Sequence, residues 1–240
     1  HYGDNMKSDV LSAKANGVNG IHYTGFELNE TERMVYKHDK QLALWMRCTR
    51  LQCPFNDERH IRFWNDQANI NLPVLALATL ELPNTPIAFS YRDCYNWQKI
   101  YEAMTGNQGH RLDVSRKMYL EPNDYFRNYM KFVKEIGATI VDMQGKGRSI
   151  LSFYDGKPPR TLYIGGKTPD YITQLVQYNT KSMEKHNCYE EGPVIDFNEH
   201  GAVRGVNDHP SDVADIHKKA GQAATRYIDK FKFKRNKELL

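Results

Sequence analysis

The stretch Asp142-Met-Gln-Gly-Lys-Gly-Arg-Ser149 holds the residue types that anion chemistry needs. Asp142 closes an apolar run, Thr139-Ile140-Val141, that reads as a buried strand. Gly145 and Gly147 permit a tight turn, and Ser149 stands where a helix would begin. Backbone N–H groups at such a turn, and the positive end of the following helix, face a docked anion. A carboxylate at the strand end suits ribose hydroxyls or a metal. Two earlier stretches add cations, Ser90-Tyr91-Arg92-Asp93 and Ser115-Arg116-Lys117. Guanidinium groups pair bidentately with phosphate oxygens, and lysine adds a point charge. Arg92, Arg116 and Lys117 therefore suit a phosphate or pyrophosphate ligand. Gly145, Lys146, Gly147, Arg148 and Ser149 suit the same kind of ligand, with Asp142 and Lys117 as the groups nearest any chemistry.

These residues need elements to hold them, and from Pro86 onward strands and helices alternate. Ile87–Ser90, Arg111–Ser115, Ala138–Asp142 and Thr161–Ile164 read as strands. Tyr95–Met104, a helix opened by Pro122 and stopped at Gly137, a short helix reaching Tyr154, and Tyr171–Tyr178 read as helices. Such alternation predicts an α/β fold, a mainly parallel sheet with helices on both faces. The polar stretches then fall at carboxyl ends of strands, where ligands of parallel sheets bind. Glu27–Leu51 is expected to be one helix capped by Asn29, and 57–66 a shorter helix. The apolar run 73–80 fits a buried helix or a strand equally. Residues 179–210 read as loop. Ser211–Phe231 carries an apolar stripe at helical spacing from Val213 to Phe231.

The chain has 240 residues and 40% hydrophobic side chains, enough for one large domain or a domain with an appendage. Net charge is +4, with part of the excess in the tail Lys230–Lys237, so the pattern argues for a solvated end rather than a nucleic-acid surface. No run approaches the length of a membrane span and no signal-peptide pattern opens the chain, which points to the cytoplasm. Cys48, Cys53, Cys94 and Cys188 form no Cys-x-x-Cys pair, and the histidines lack metal-ligand spacing.

The loop from Asp142 to Ser149 resembles the diphosphoribose-binding loop of type I phosphoribosyltransferases, over residues of about 85–180. Asp142 falls on the second of that family's two acids, Gly147 on its glycine and Ser149 on its hydroxyl position. The chain departs from the family at Val141, where the first acid is expected, and at Lys146, where a threonine is expected. The resemblance implies a phosphoribosyltransferase-like fold, a phosphorylated sugar or nucleotide-type ligand, magnesium, and transfer of a glycosyl group with release of pyrophosphate. A homo-oligomer is compatible with it. The first 25 residues resemble the last motif of haloacid-dehalogenase-type phosphohydrolases, Gly3-Asp4 followed by Asp9, then Ala13 and Gly17 before a short strand at 20–23. That resemblance implies magnesium held by Asp4 and Asp9 once an upstream catalytic core is present. The expected organisation is a dehalogenase-type tail over 1–37 and a phosphoribosyltransferase-like domain with helical additions over 38–240.

Two rival readings use the same residues. One is a non-catalytic sugar-phosphate-binding or scaffold module of a larger dehalogenase-type or glycan-processing protein, such as those of surface-glycan loci. The other is a Rossmann methyltransferase, whose first motif also reads strand-Asp-x-x-Gly-x-Gly. Against the latter, Thr161–Ile164 is followed by glycines instead of a ribose-binding acid. Asp208-His209-Pro210 resembles the acid–histidine block of serine esterases, but Gly3-Asp4-Asn5 lacks the serine.

Overall fold

A computed structural model of the chain describes residues 1–91, 93–144, 147–165, 172–174, 187, 194–196, 203–204 and 211–235. Its centre is a five-stranded, wholly parallel sheet of β3 (Ile87–Tyr91), β4 (His110–Asp113), β5 (Thr139–Gln144), β6 (Thr161–Gly165) and β7 (Ile172–Gln174), in the order β4-β3-β5-β6-β7. In order of appearance that is 2-1-3-4-5, a doubly wound arrangement. The chain winds one way from β3 to β4 and the other way from β5 onward. The reversal puts the switch point between β3 and β5.

Each face of the sheet is covered by its own apolar core, as parallel strands require. Ile87, Phe89, Val141, Met143, Leu162 and Ile164 point to one face. There they meet α3 (Lys40–Arg50), α5 (Leu72–Leu80), α6 (Tyr95–Thr105) and α10 (Ser211–Arg226). Ala88, Leu112 and Ile140 point to the other, against α7 (Arg116–Leu120), α8 (Asp124–Glu135) and α9 (Arg148–Phe153). The α/β class with helices on both faces is thus what the alternation predicted. The ambiguous run 73–80 is helix α5, buried all round.

Several local expectations are corrected. Glu27–Leu51 is two helices, α2 (Glu30–Tyr36) and α3, because Asp39 leaves the helical region at φ −143° and its carboxylate accepts from Leu42 N–H to cap the second. Asn29 does cap α2, in a reciprocal capping box with Glu32. Pro122 precedes the cap of α8, which is Asn123. Ser115 ends no strand: its side chain accepts from Met118 N–H and opens α7, so Arg116 and Lys117 lie in a helical first turn. Ile172–Gln174, expected as helix, pairs in parallel with β6, as its β-branched Ile172 and Thr173 favour. The rest of 171–178 lies outside the described residues. The last long helix ends at Arg226 and gives way to a 3-10 turn at Ile228–Lys230. Short strands β8 (Val194–Asp196) and β9 (Val203–Arg204) interrupt the expected loop 179–210, most of which is outside the described residues.

The amino terminus is a small unit of its own. β1 (Tyr2–Gly3) and β2 (Ile21–His22) pair in parallel around a π-helical turn at Met6–Leu11 and α1 (Ser12–Ala15). Arg50 ties it to the helical layer. Its guanidinium donates to Glu32 at 2.6 and 3.0 Å, and to the carbonyls of Gly25 and Glu27 at 3.3 and 2.7 Å. α4 (Glu58–Asp66) completes the layer, its Trp64 indole donating to the carbonyls of Thr49 and Arg50. No helix among the described residues is long and apolar enough to cross a membrane.

Candidate functional site

A cleft of about 870 Å³ opens on the α7–α9 face at the carboxyl side of the sheet. Three consecutive strand ends build it. β3 supplies Ser90, the segment after β4 supplies Val114, Ser115, Arg116 and Tyr119, and β5 with its loop supplies Asp142, Gly147, Arg148, Ser149 and Ser152. Thr161 and Tyr163 of β6 close the far wall. The described parts of the three polar stretches fall side by side because β4, β3 and β5 are neighbours in the sheet.

Asp142 is placed by alternation. Ile140 faces the α8 core while Val141 and Met143 face the other, so Asp142 shares the face of Ile140 and looks into the cleft. One carboxylate oxygen accepts from Met143 N–H at 2.8 Å. Gly147 caps α9 in the left-handed region at φ 63°, a conformation that a side chain would strain. It is buried in the cleft wall. Arg148 then stands exposed at the rim and Ser149 half-buried behind it. α9 has six residues, so its dipole is short and the guanidinium groups of Arg116 and Arg148 carry most of the pull on an anion.

Tyr119 and Tyr163 flank the carboxylate. Tyr119 packs edge-on against Phe126 and Phe153, with ring centroids 5.5 and 5.8 Å apart. Burial first, then the Asp142 charge, holds its hydroxyl well above the ordinary tyrosine range. Tyr154 donates to the Met130 carbonyl at 2.7 Å, and burial pushes its hydroxyl up as well. Behind the sheet, Cys94 is fully buried with Sγ 3.7 Å from the Val141 carbonyl. Burial, then Asp142 and Asp93, keeps its thiol far from ionising.

Of the residues singled out by sequence, Asp142, Arg116, Gly147, Arg148 and Ser149 come together here. Lys117 does not: it is exposed on α7 and lines no part of the cleft. Arg92, Gly145 and Lys146 lie outside the described residues. Tyr119, Thr161, Tyr163 and Ser152 were missed. The signal for Thr161 and Tyr163 was their alternation with Leu162 and Ile164, which puts two polar residues on one face of a strand.

Asp4 and Asp9 lie elsewhere, beside a cavity of about 540 Å³ with Tyr23 and Phe26. Asp9 folds back over Gly3, where a Cβ would lie 2.1 Å from Asp9 Cβ, so only glycine fits. Asn5 N–H and the Ser8 hydroxyl donate to the Asp9 carboxylate at 3.0 and 2.9 Å and hold its pKa down. Among the described residues no three His, Cys, Asp or Glu side chains converge on a metal site. The chain matches no family model, and no curated protein matches it.

Proposed function

We propose that the cleft binds a phosphorylated sugar of the phosphoribose class, and that the associated reaction is glycosyl transfer with release of pyrophosphate. The observation that carries this reading is the convergence of Asp142, Arg116, Arg148 and Ser149 on one cleft at neighbouring strand ends. Cations at the rim match phosphate groups, and the carboxylate below them matches sugar hydroxyls. In a transfer reaction the sugar gains positive charge and the departing pyrophosphate gains negative charge. Asp142 and the two arginines are arranged to stabilise both. Magnesium fits as an ion shared with the ligand. Asp142 would supply one oxygen, and phosphate oxygens and water the others, which is how magnesium usually sits with phosphorylated substrates.

A second reading, a non-catalytic sugar-phosphate-binding module, is favoured by Val141. Its side chain is buried in the apolar core on the opposite face, so β5 offers the cleft one carboxylate where the resembled family has two. Calorimetric titration with 5-phosphoribosyl diphosphate and Mg²⁺ tests the shared binding claim. The wild type should bind and Asp142→Ala should bind at least tenfold more weakly, the range expected for loss of a charged hydrogen-bonding partner. Absence of heat in the wild type, or equal binding by both proteins, sinks the proposal. Turnover with an acceptor separates the enzyme from the module.

A further inference from the structure

The register of the sheet puts more on the cleft floor than Asp142. Asp142 is the partner of Tyr163 on β6. On its other side the pairing Ala88 with Ile140 carries forward to set Ser90 beside it. All three line the same cleft. The result is a polar row, Ser90–Asp142–Tyr163, running across three adjacent strands about 4.8 Å apart. Buried parallel strands normally carry apolar residues on both faces. The other face obeys that rule with Val141, Met143, Leu162 and Ile164, all fully buried. Ser90 and Tyr163 are 6% and 5% exposed, so these hydroxyls are kept on a face where packing alone favours valine or leucine. The cleft is therefore bipolar, with guanidinium groups at its rim and hydroxyls around one carboxylate at its floor.

We propose that Ser90 and Tyr163 are specificity-determining residues. They read the hydroxyl groups of a phosphorylated polyol on either side of Asp142, while Arg116 and Arg148 take its phosphate. The inference rests on the phosphorylated-sugar reading above and adds the orientation of the ligand, phosphate outward and hydroxyls on the sheet. A vicinal diol accepts from and donates to neighbouring groups at once. A carboxylate that only accepts, flanked by hydroxyls that do both, matches that demand.

The test compares three probes, ribose 5-phosphate, ethyl phosphate and pyrophosphate, by calorimetry on the full chain. Ethyl phosphate and pyrophosphate carry no sugar hydroxyls and can use only the rim. Tyr163→Phe and Ser90→Ala each remove one oxygen and keep the rest of the shape. Each should weaken ribose 5-phosphate by roughly three- to tenfold and shrink its advantage over ethyl phosphate. Pyrophosphate affinity should stay within roughly twofold, a readout that general damage to the cleft would also move. If the variants keep the wild-type preference, or lose pyrophosphate as much as ribose 5-phosphate, the assignment of these two residues is overturned while the phosphorylated-sugar reading stands. If the wild type prefers no sugar phosphate over ethyl phosphate and also fails to bind 5-phosphoribosyl diphosphate, both fall together.

Discussion

Asp142 and Val141 are neighbours in sequence and back to back in space, and that one fact sorts the chemistry of the cleft from the chemistry of the core. The buried tyrosine hydroxyls of the α7–α9 layer have consequences for stability. Tyr119 and Tyr154 ionise less readily in the folded chain than in the unfolded one. A folded-state pKa raised above the unfolded value leaves stability intact below the ordinary tyrosine pKa and removes it as pH climbs past. Cys94, whose thiol is raised too, should start the fall of the urea midpoint near roughly pH 8.5, and the two tyrosines should steepen it from roughly pH 10 upward. Tyr154→Phe should start lower, having lost the bond to the Met130 carbonyl, and fall less steeply. An equal slope in the two proteins would show that Tyr154 has no part in the alkaline loss. At this scale the sequence was informative where a residue's type implies its partner. The acid, the arginines and Ser149 were legible from polarity at strand ends. Tyr119 was not, because an aromatic inside a short helix looks like packing material until the tertiary fold brings Asp142 beside it.

Among elements, capping chemistry decides where helices begin. Asn29 and Asp39 are ten residues apart and each starts a helix, so a stretch with continuous helical periodicity becomes two. Side-chain oxygens compete locally with backbone hydrogen bonds, a preference that apolar spacing does not register. The first of those helices carries a buried charge. Glu32 is fully buried, receives Asn29 N–H at 2.9 Å, and is held by Arg50. Asn29→Ala removes the cap and the Nδ2 hydrogen bond to Asn69 and should cost about 1–2 kcal/mol. Arg50→Ala leaves Glu32 buried without its cation and should cost about 3 kcal/mol or more. Denaturant unfolding of both variants tests the ranking; a milder effect for Arg50→Ala would mean that water reaches Glu32 once the arginine is gone. Strand order belongs to this scale too. Alternation implied parallel pairing, but the 2-1-3-4-5 order depends on which side each crossover takes, and nothing in a strand's own residues encodes that.

At the scale of the whole molecule, residues 231–235 tie the end of the described chain to the first helical layer. Phe231 and Phe233 are half-buried, and Phe233 meets Trp45 edge-on with centroids 5.3 Å apart. Arg235 donates to the Leu80 carbonyl at 2.8 Å and pairs with Glu81 at 3.4 Å. The tail that reads in sequence as a solvated basic end is, over 231–235, a strap across α3 and the end of α5, with its lysines outward. Phe233→Ala should lower stability by about 2 kcal/mol, as partial loss of a buried aromatic does. Arg235→Ala should cost under about 1 kcal/mol, because its ion pair is exposed. Thermal unfolding of the two variants checks the order, and reversal would show that the backbone contact at Leu80, not the aromatic packing, secures the strap.

The two cores also differ in how the chain reaches them. Among the described residues, the α8-side core draws on residues 88–154, a continuous stretch. The opposite core joins Leu42 to Ile228, and the Trp45 indole donates to the Ala224 carbonyl across 179 positions. Closing so long a loop costs entropy before any contact repays it. During synthesis one face of the sheet can be covered as soon as β5 and α9 emerge. The other stays open until α10 returns, so the first half of the chain spends that interval with α3, α4 and α6, Trp45 and Trp64 among them, short of their last cover. Those surfaces, and not the candidate site, are where a chaperone would find this protein.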